Sequence, residues 1–280
     1  MREIHVDQIT GAVREMCMQA CYDLPEDVAA ALTAAREREE SELGREILGE
    51  LQENIAIARE RRVAICQDTG ITVVFVKLGQ DVRIVGGSFN SAINEGVRRG
   101  YTEGYLRKSV VCDPLERKNT GDNTPAVIHI EVVPGDGLHL TVAPKGIGSE
   151  NMSGVKMLVP ALGSQGVIDF IYEVVERAGP NPCPPIVVGV GIGGTMEKAA
   201  ILAKKALFRP LGQPHSLPHI AELEQKSLER INNSGIGPMG LGGRTTALAV
   251  QAEVYPTHIG GLPVAVNIQC HACRHAEKEL

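Results

Sequence analysis

Three short runs of branched aliphatic residues constrain this chain more than anything else in it. They are Ile71-Thr72-Val73-Val74-Phe75-Val76, Ile186-Val187-Val188-Gly189-Val190 and Val264-Ala265-Val266-Asn267-Ile268. Each is short, rich in residues that fit a pleated surface, and reads as a buried strand. Each also abuts a loop that carries a cysteine. Cys66-Gln67-Asp68-Thr69-Gly70 precedes the first run, Pro182-Cys183-Pro184-Pro185 precedes the second, and Gln269-Cys270-His271-Ala272-Cys273 follows the third. Loops at the mouths of core strands are where reactive groups are displayed. A single cysteine is more often a small core residue; three in one kind of setting point to a shared site.

Composition narrows the class. The 280 residues include no Trp, four Phe and five Tyr, so Ala, Val, Ile and Leu must fill the core. The 31 glycines mark many places where the backbone needs freedom or close approach. A net charge of −6 argues against nucleic acid or an anionic membrane as the main partner. No apolar run approaches the ~20 residues of a membrane span, and the first residues lack the apolar stretch of a signal peptide. A cytoplasmic protein is expected. Seven cysteines, an odd number in a reducing compartment, favour metal binding or catalysis over a disulfide framework.

The pattern predicts a mixed α/β fold: an N-terminal helical section over 1–62, then small sheets wrapped by helices, all in a single domain over 1–280. Three helices are expected at the start, from Val6 to Cys21, from Pro25-Glu26 to about Glu40, and from a cap at Ser41 onward. Cys17 and Cys21, four apart on one helix face, read as core residues. Val82–Val85 reads as a short strand before a helix ending near Gly100. Val127–Val132 and Leu138–Val142, joined by Pro134-Gly135-Asp136-Gly137, read as a β-hairpin, with His129 and His139 on exposed faces. Helices are expected over 153–178, 195–208 and 217–231.

Several glycine-rich stretches invite chemistry. Gly189-Val190-Gly191-Ile192-Gly193-Gly194 has the spacing of a dinucleotide-binding turn, yet no Asp or Glu ends a second strand about 20 residues on. A close approach of strand and helix is the better reading. Pro144–Asn151 and Gly235–Thr246 present backbone N–H groups beside Lys145 and Arg244, the makings of anion sites suited to a small carboxylate. Cys112 is a weaker candidate for any shared thiol site.

Cys66-Gln67-Asp68-Thr69-Gly70, Leu106-Arg107-Lys108-Ser109-Val110-Val111, Lys145-Gly146-Ile147-Gly148-Ser149-Glu150-Asn151 and Thr257-His258-Ile259 before Cys270-His271-Ala272 together resemble the class I fumarases. The resemblance spans the whole chain in order and is to the α-subunit of the two-subunit form, whose close relative is the L-tartrate dehydratase α-subunit. It implies a 4Fe–4S cluster held by Cys66, Cys183 and Cys270, with one iron left open. It further implies substrate contacts from Gln67, Asp68, Arg107 and Gly148 and an acid–base role for His258. Adding water to a double bond needs both a base and an acid, usually Asp and His, which makes Asp68 the other catalytic candidate. A separate β-subunit, a hetero-oligomer and a small dicarboxylate substrate follow from the same resemblance. Two departures stand out: family members often read Gly-Gly-Gly where this chain has Gly146-Ile147-Gly148, and Cys273 is a second thiol that could compete with Cys270. Fumarate hydration is the leading expectation and L-tartrate dehydration its rival. An NAD-dependent oxidoreductase and a non-catalytic iron–sulfur protein are the readings from other classes.

Overall fold

The apolar spacing of the first sixty residues does produce helices, although a strand comes first. The computed structural model describes all 280 residues. It begins with β1 (Arg2–His5), α1 (Val6–Tyr22), α2 (Glu26–Arg38) and α3 (Glu42–Arg61). Local chemistry sets the starts. His5 Nδ1 accepts from the Asp7 N–H while Gln8 accepts from the His5 N–H, and Ser41 Oγ accepts from the Gly44 N–H. The chain then continues as β2 (Ile71–Gly79), β3 (Val82–Val85), α4 (Phe89–Glu103), β4 (Val127–Val133), β5 (Leu138–Lys145), the single turn α5 (Ile147–Glu150) and β6 (Gly154–Leu158). It ends with α6 (Gly163–Ala178), β7 (Ile186–Gly193), α7 (Met196–Ala206), α8 (Pro218–Asn232), β8 (Ala247–Tyr255), β9 (Leu262–Gln269) and β10 (Ala276–Glu279). This is a mixed α/β fold. No helix is long and apolar enough to cross a membrane.

Two units emerge, each built from separate stretches of chain. The first comprises Met1–Leu24, Asn54–Ile147 and Arg274–Leu280; the second comprises Pro25–Glu53 and Gly148–Cys273. In the first, β1 pairs with β3, and a four-stranded sheet has the order β10-β5-β2-β4. Ile9, Val13, Met16 and Cys17 of α1 and Ile93, Val97 and Tyr101 of α4 form its core with Val74, Val76, Leu140 and Val142 of the sheet. Their helical spacings are those of one apolar stripe. Cys17 and Cys21 are fully buried there, as expected of core thiols.

The expected hairpin does not form. β4 and β5 are both present, but β2 lies between them, parallel to β4 and antiparallel to β5. The reason is burial: β2 is apolar on both faces and takes a central place, while β4 is largely exposed at the edge. The turn that seemed to close a hairpin instead caps the end of β2: the N–H groups of Gly79 and, just beyond the strand, Asp81 donate to the Gly137 and Gly135 carbonyls.

The second unit carries a sheet of order β6-β9-β7-β8, with β7 parallel to β8 and antiparallel to β9. Strand periodicity explains its layers. Ile186, Val188 and Val190 share a core with Val264, Val266 and Ile268 and with Ile171 and Val174 of α6 and Leu223 of α8. The alternate residues Gly189, Gly191 and Ala265 meet α7 at Ala199 and Ala203. A Cβ on Gly191 would stand 1.9 Å from the Ala199 carbonyl oxygen, so only glycine admits the helix this close. Gly189 and Gly191 therefore lie within a strand beneath a helix, not in a nucleotide-binding turn, and Gly193 ends that strand against the Tyr255 carbonyl. The helix expected from 153 starts only at Gly163, because residues 154–158 extend the sheet as β6 against β9.

Candidate active site

In the first unit the Cys66–Gly70 loop enters β2, and Gly70 makes the turn possible at φ +73°, where a Cβ would meet the Lys145 carbonyl at 2.3 Å. Cys66 is half-buried and its thiol donates to Gln67 Oε1 at 3.4 Å. Asp68 is also half-buried and firmly aimed. Its two carboxylate oxygens accept from the Gly70 and Ile147 N–H groups at 3.0 and 2.8 Å. Its own carbonyl accepts from the guanidinium of Arg274, which also donates to the Pro144 carbonyl.

Beside this loop runs the irregular segment 106–110, which carries Arg107. Side chains join the two. Thr69 Oγ1 donates to the Arg107 carbonyl at 3.0 Å, and the Tyr101 hydroxyl donates to the Thr69 carbonyl at 2.6 Å. Asn123 donates to the Gly70 carbonyl and accepts from the Ser109 and Val110 N–H groups. The loop with Gln67 and Asp68 and the segment with Arg107 are thereby tied together through their backbones, and the Arg107 side chain is exposed.

In the second unit the sheet register does the gathering. Cys183 precedes β7 and Cys270 follows β9, and because Val187 pairs with Gln269 both thiols lie at the same end. Both are half-buried. Cys183 sits at φ +54°, an uncommon value for a residue other than glycine, between Pro182 and Pro184. Its carbonyl lies 3.1 Å from His271 Nδ1, so the two thiol loops touch. Gly148 is at this end too, its ideal Cβ 4.0 Å from the Asn181 carbonyl. The turn bearing Gly148 is tied down by Glu150, which accepts from Lys204 at 2.5 Å and from Asn267 at 2.9 Å.

The other cysteines behave differently. Burial pushes the Cys17 thiol upward and the Cys21 thiol up to about 11, so neither supplies thiolate readily. Cys112 is exposed on a turn. Cys273 is buried with its sulfur 3.6 Å from the Leu207 carbonyl, whereas Cys270 is half-exposed; Cys270 is the better placed of the pair. No three His, Cys, Asp or Glu side chains converge closely enough to grip a single metal ion. A cluster makes a different demand, since it takes each thiolate on a separate iron. Cys183 and Cys270, half-buried at one sheet end of the second unit, and Cys66, half-buried in the first, are each open enough to bind.

His258 stands apart. It lies between β8 and β9, at the end of the sheet opposite Cys183 and Cys270, and the eight residues of β9 separate the two ends by about 25 Å. It is exposed, its Nδ1 accepts from the Gly260 N–H, and it lines a groove of about 540 Å³ with Ile192, His219, Leu223 and Lys226. Within its own chain it does not share a site with those cysteines.

The glycine loop at 235–246 proves to be an anion site already filled. Glu39 places one carboxylate oxygen on the Glu40, Ser41 and Arg244 N–H groups and the other on Thr245. Burial works against that charge, but the N–H donors from Arg244, Ser41 and Thr245 outweigh it and hold the carboxyl down at about 2. Glu39, Tyr101, Asn123, Glu150 and Arg274 all escaped the sequence reading. Only Asn123 had a local signal, the turn-forming run Gly121-Asp122-Asn123-Thr124-Pro125.

The family model described as Fumarate hydratase (Fumerase) matches residues 10–279. A Methanocaldococcus jannaschii protein provisionally named L(+)-tartrate dehydratase subunit alpha is 43% identical over 98% of this chain and 98% of its own. Escherichia coli proteins named L(+)-tartrate dehydratase subunit alpha, from strains O157:H7 and K12, are 34% and 33% identical over 96% of this chain and 89% of theirs.

Proposed function

Since the chain belongs to the fumarate hydratase (fumerase) family, we propose that it is the cluster-bearing α-subunit of an iron–sulfur hydro-lyase that interconverts fumarate and (S)-malate. Cys66, Cys183 and Cys270 hold a 4Fe–4S cluster in this reading. When bound, the cluster supplies an open iron as Lewis acid for a substrate oxygen. The observation that carries the proposal is the joint placement of Asp68 and Arg107 on two hydrogen-bonded segments beside a half-exposed thiol. Arg107 offers a fork for a substrate carboxylate. Gln67 and the Gly148 turn add polar contacts. Asp68 is the proton carrier, kept in one orientation by two backbone donors. His258, at the far end of its sheet, is too distant to transfer a proton to a ligand held near Cys183 and Cys270.

A second reading, dehydration of L(+)-tartrate, is favoured by the names of the relatives. Those names, all of α-subunits, also support a companion β-subunit that completes the site. The test is anaerobic co-expression with that subunit, cluster reconstitution, and assay on malate, fumarate and L(+)-tartrate. Water loss from malate with little from tartrate is the expected result. The reverse preference installs the second reading, and turnover of none of them overturns both. Assayed without its companion, the chain should be inactive.

A further inference from the structure

We infer that Asn123 is a positioning residue: it fixes the distance between the Asp68 loop and the Arg107 segment, and with it the fit of a dicarboxylate. The inference rests on the substrate-binding reading above and extends it to a side chain outside every motif.

Residues 106–110 form no helix and no ladder. Arg107 is therefore placed by whatever else satisfies the backbone around it. Thr69 holds the Arg107 carbonyl, Asn119 the Lys108 carbonyl and the Thr120 N–H the Val110 carbonyl, while Asn123 takes both the Ser109 and Val110 N–H groups. Asn123 is 0% exposed, and its φ of +63° is one that asparagine tolerates better than most residues. Its Oδ1 accepts from Ser109 at 2.7 Å and Val110 at 3.2 Å; its Nδ2 donates to the Gly70 carbonyl at 3.2 Å. The partners fix the amide's orientation, because two N–H groups must face an oxygen and a carbonyl must face the NH₂. One side chain thus bridges two segments: Gly70, two residues after Asp68, and Ser109, two residues after Arg107. Asp122 next to it is pinned in turn by Thr124 and Arg98. Thr69 adds one further bond from the loop to the Arg107 carbonyl, whereas the Tyr101 side chain reaches the loop alone.

An aspartate at this position keeps the shape and can still accept from Ser109 and Val110. Its second oxygen then faces the Gly70 carbonyl, acceptor against acceptor, and the bridge fails on one side only. Misplacing a binding group by about 1 Å can cost ~100-fold in rate, so Asn123→Asp should lower kcat/KM by roughly that factor with cluster content unchanged. A purely structural role would give an effect independent of Arg107. The positioning role makes the two coupled: in an Arg107→Ala background, Asn123→Asp should cost little more. Additive losses overturn the inference.

Hydrogen exchange supplies a readout that needs no turnover. In Asn123→Ala, peptides covering 66–71 and 106–111 should both exchange faster, while β7 and β9 do not change. If the wild-type enzyme turned over neither malate nor tartrate, the functional reading would fall, and exchange would still decide the clamp. Faster exchange in both segments supports it. Unchanged exchange, or loosening of one segment alone, refutes it.

Discussion

The chain holds its expected site residues by two different means. In the unit built around β2, the loop with Cys66 and Asp68 and the segment with Arg107 are irregular, and buried side chains fasten one to the other. In the unit built around β7 and β9, Cys183 and Cys270 are brought to one end by strand register. A ladder spreads its load over many equivalent bonds, and any residue of suitable shape can occupy it. A clamp concentrates the load on one or two atoms. Substitutions should therefore act through backbone packing in the second unit and through single polar groups in the first.

The largest effect expected is on the proposed 4Fe–4S cluster. Cys66→Ser, Cys183→Ser and Cys270→Ser should each abolish the visible absorbance of the reconstituted cluster, whichever unit the residue comes from, while Cys112→Ser leaves it intact. Retention of the cluster in Cys183→Ser would mean that this thiol is not one of its ligands.

Next is an irregular loop of the second unit, at Gly237–Thr245, which Glu39 clamps much as Asn123 clamps its neighbours. The Glu39 carboxyl is held at about 2, below its ordinary 4.5. A depressed carboxylate contributes stability that is complete above the ordinary value and disappears as pH falls from about 4.5 through about 2. The contribution is roughly 3 kcal/mol at most. Glu39→Gln should lose it at neutral pH and flatten the acid limb of stability against pH. An unchanged acid limb would mean that the loop does not need its carboxylate.

Gly191→Ala tests the ladder. Its new methyl would meet the Ala199 carbonyl at 1.9 Å, so α7 or β7 must move. Overpacking of this kind costs about 1–3 kcal/mol, read as a lower denaturant midpoint. Nicotinamide cofactor should bind neither the variant nor the parent, because these glycines serve helix packing.

Much of this was legible beforehand because it is local. Periodicity and caps mark α1, α2 and α3, and β-branched runs mark β2, β7 and β9. Cysteine loops beside those strands are visible for the same reason. What depended on distant partners was hidden. Nothing within 127–142 says that β2 will slip between β4 and β5. β8, Ala-Leu-Ala-Val-Gln-Ala-Glu-Val-Tyr, has neither clean alternation nor a β-branched run, and becomes a strand only by pairing with β7. Clamps are the hardest to foresee, since Tyr101, Asn123 and Glu39 are single polar residues whose partners lie from one to over two hundred positions away. His258 shows the converse: a motif places it near Cys270 in sequence, and an eight-residue strand carries it to the other end of the sheet.

The smallest effect belongs to Tyr101→Phe, which sharpens the idea of a clamp by removing one of its atoms. Tyr101 is fully buried, and burial raises its hydroxyl well above the usual range, so it remains a neutral donor at any working pH. It gives its hydrogen to the Thr69 carbonyl at 2.6 Å, with a longer approach to Gly70. Phenylalanine preserves the ring packing against α1 and leaves the Gly70 carbonyl its bond from Asn123. Only the Thr69 carbonyl loses a partner, which should cost about 1 kcal/mol. A urea midpoint lowered by that amount with an unchanged slope would register it as a pure stability loss. Because the bridge from Gly70 to Ser109 stays whole, kcat/KM should fall far less than in Asn123→Asp. Equal kinetic losses in the two variants would mean that the loop responds to any lost hydrogen bond, and that the distance to Arg107 is not what Asn123 sets.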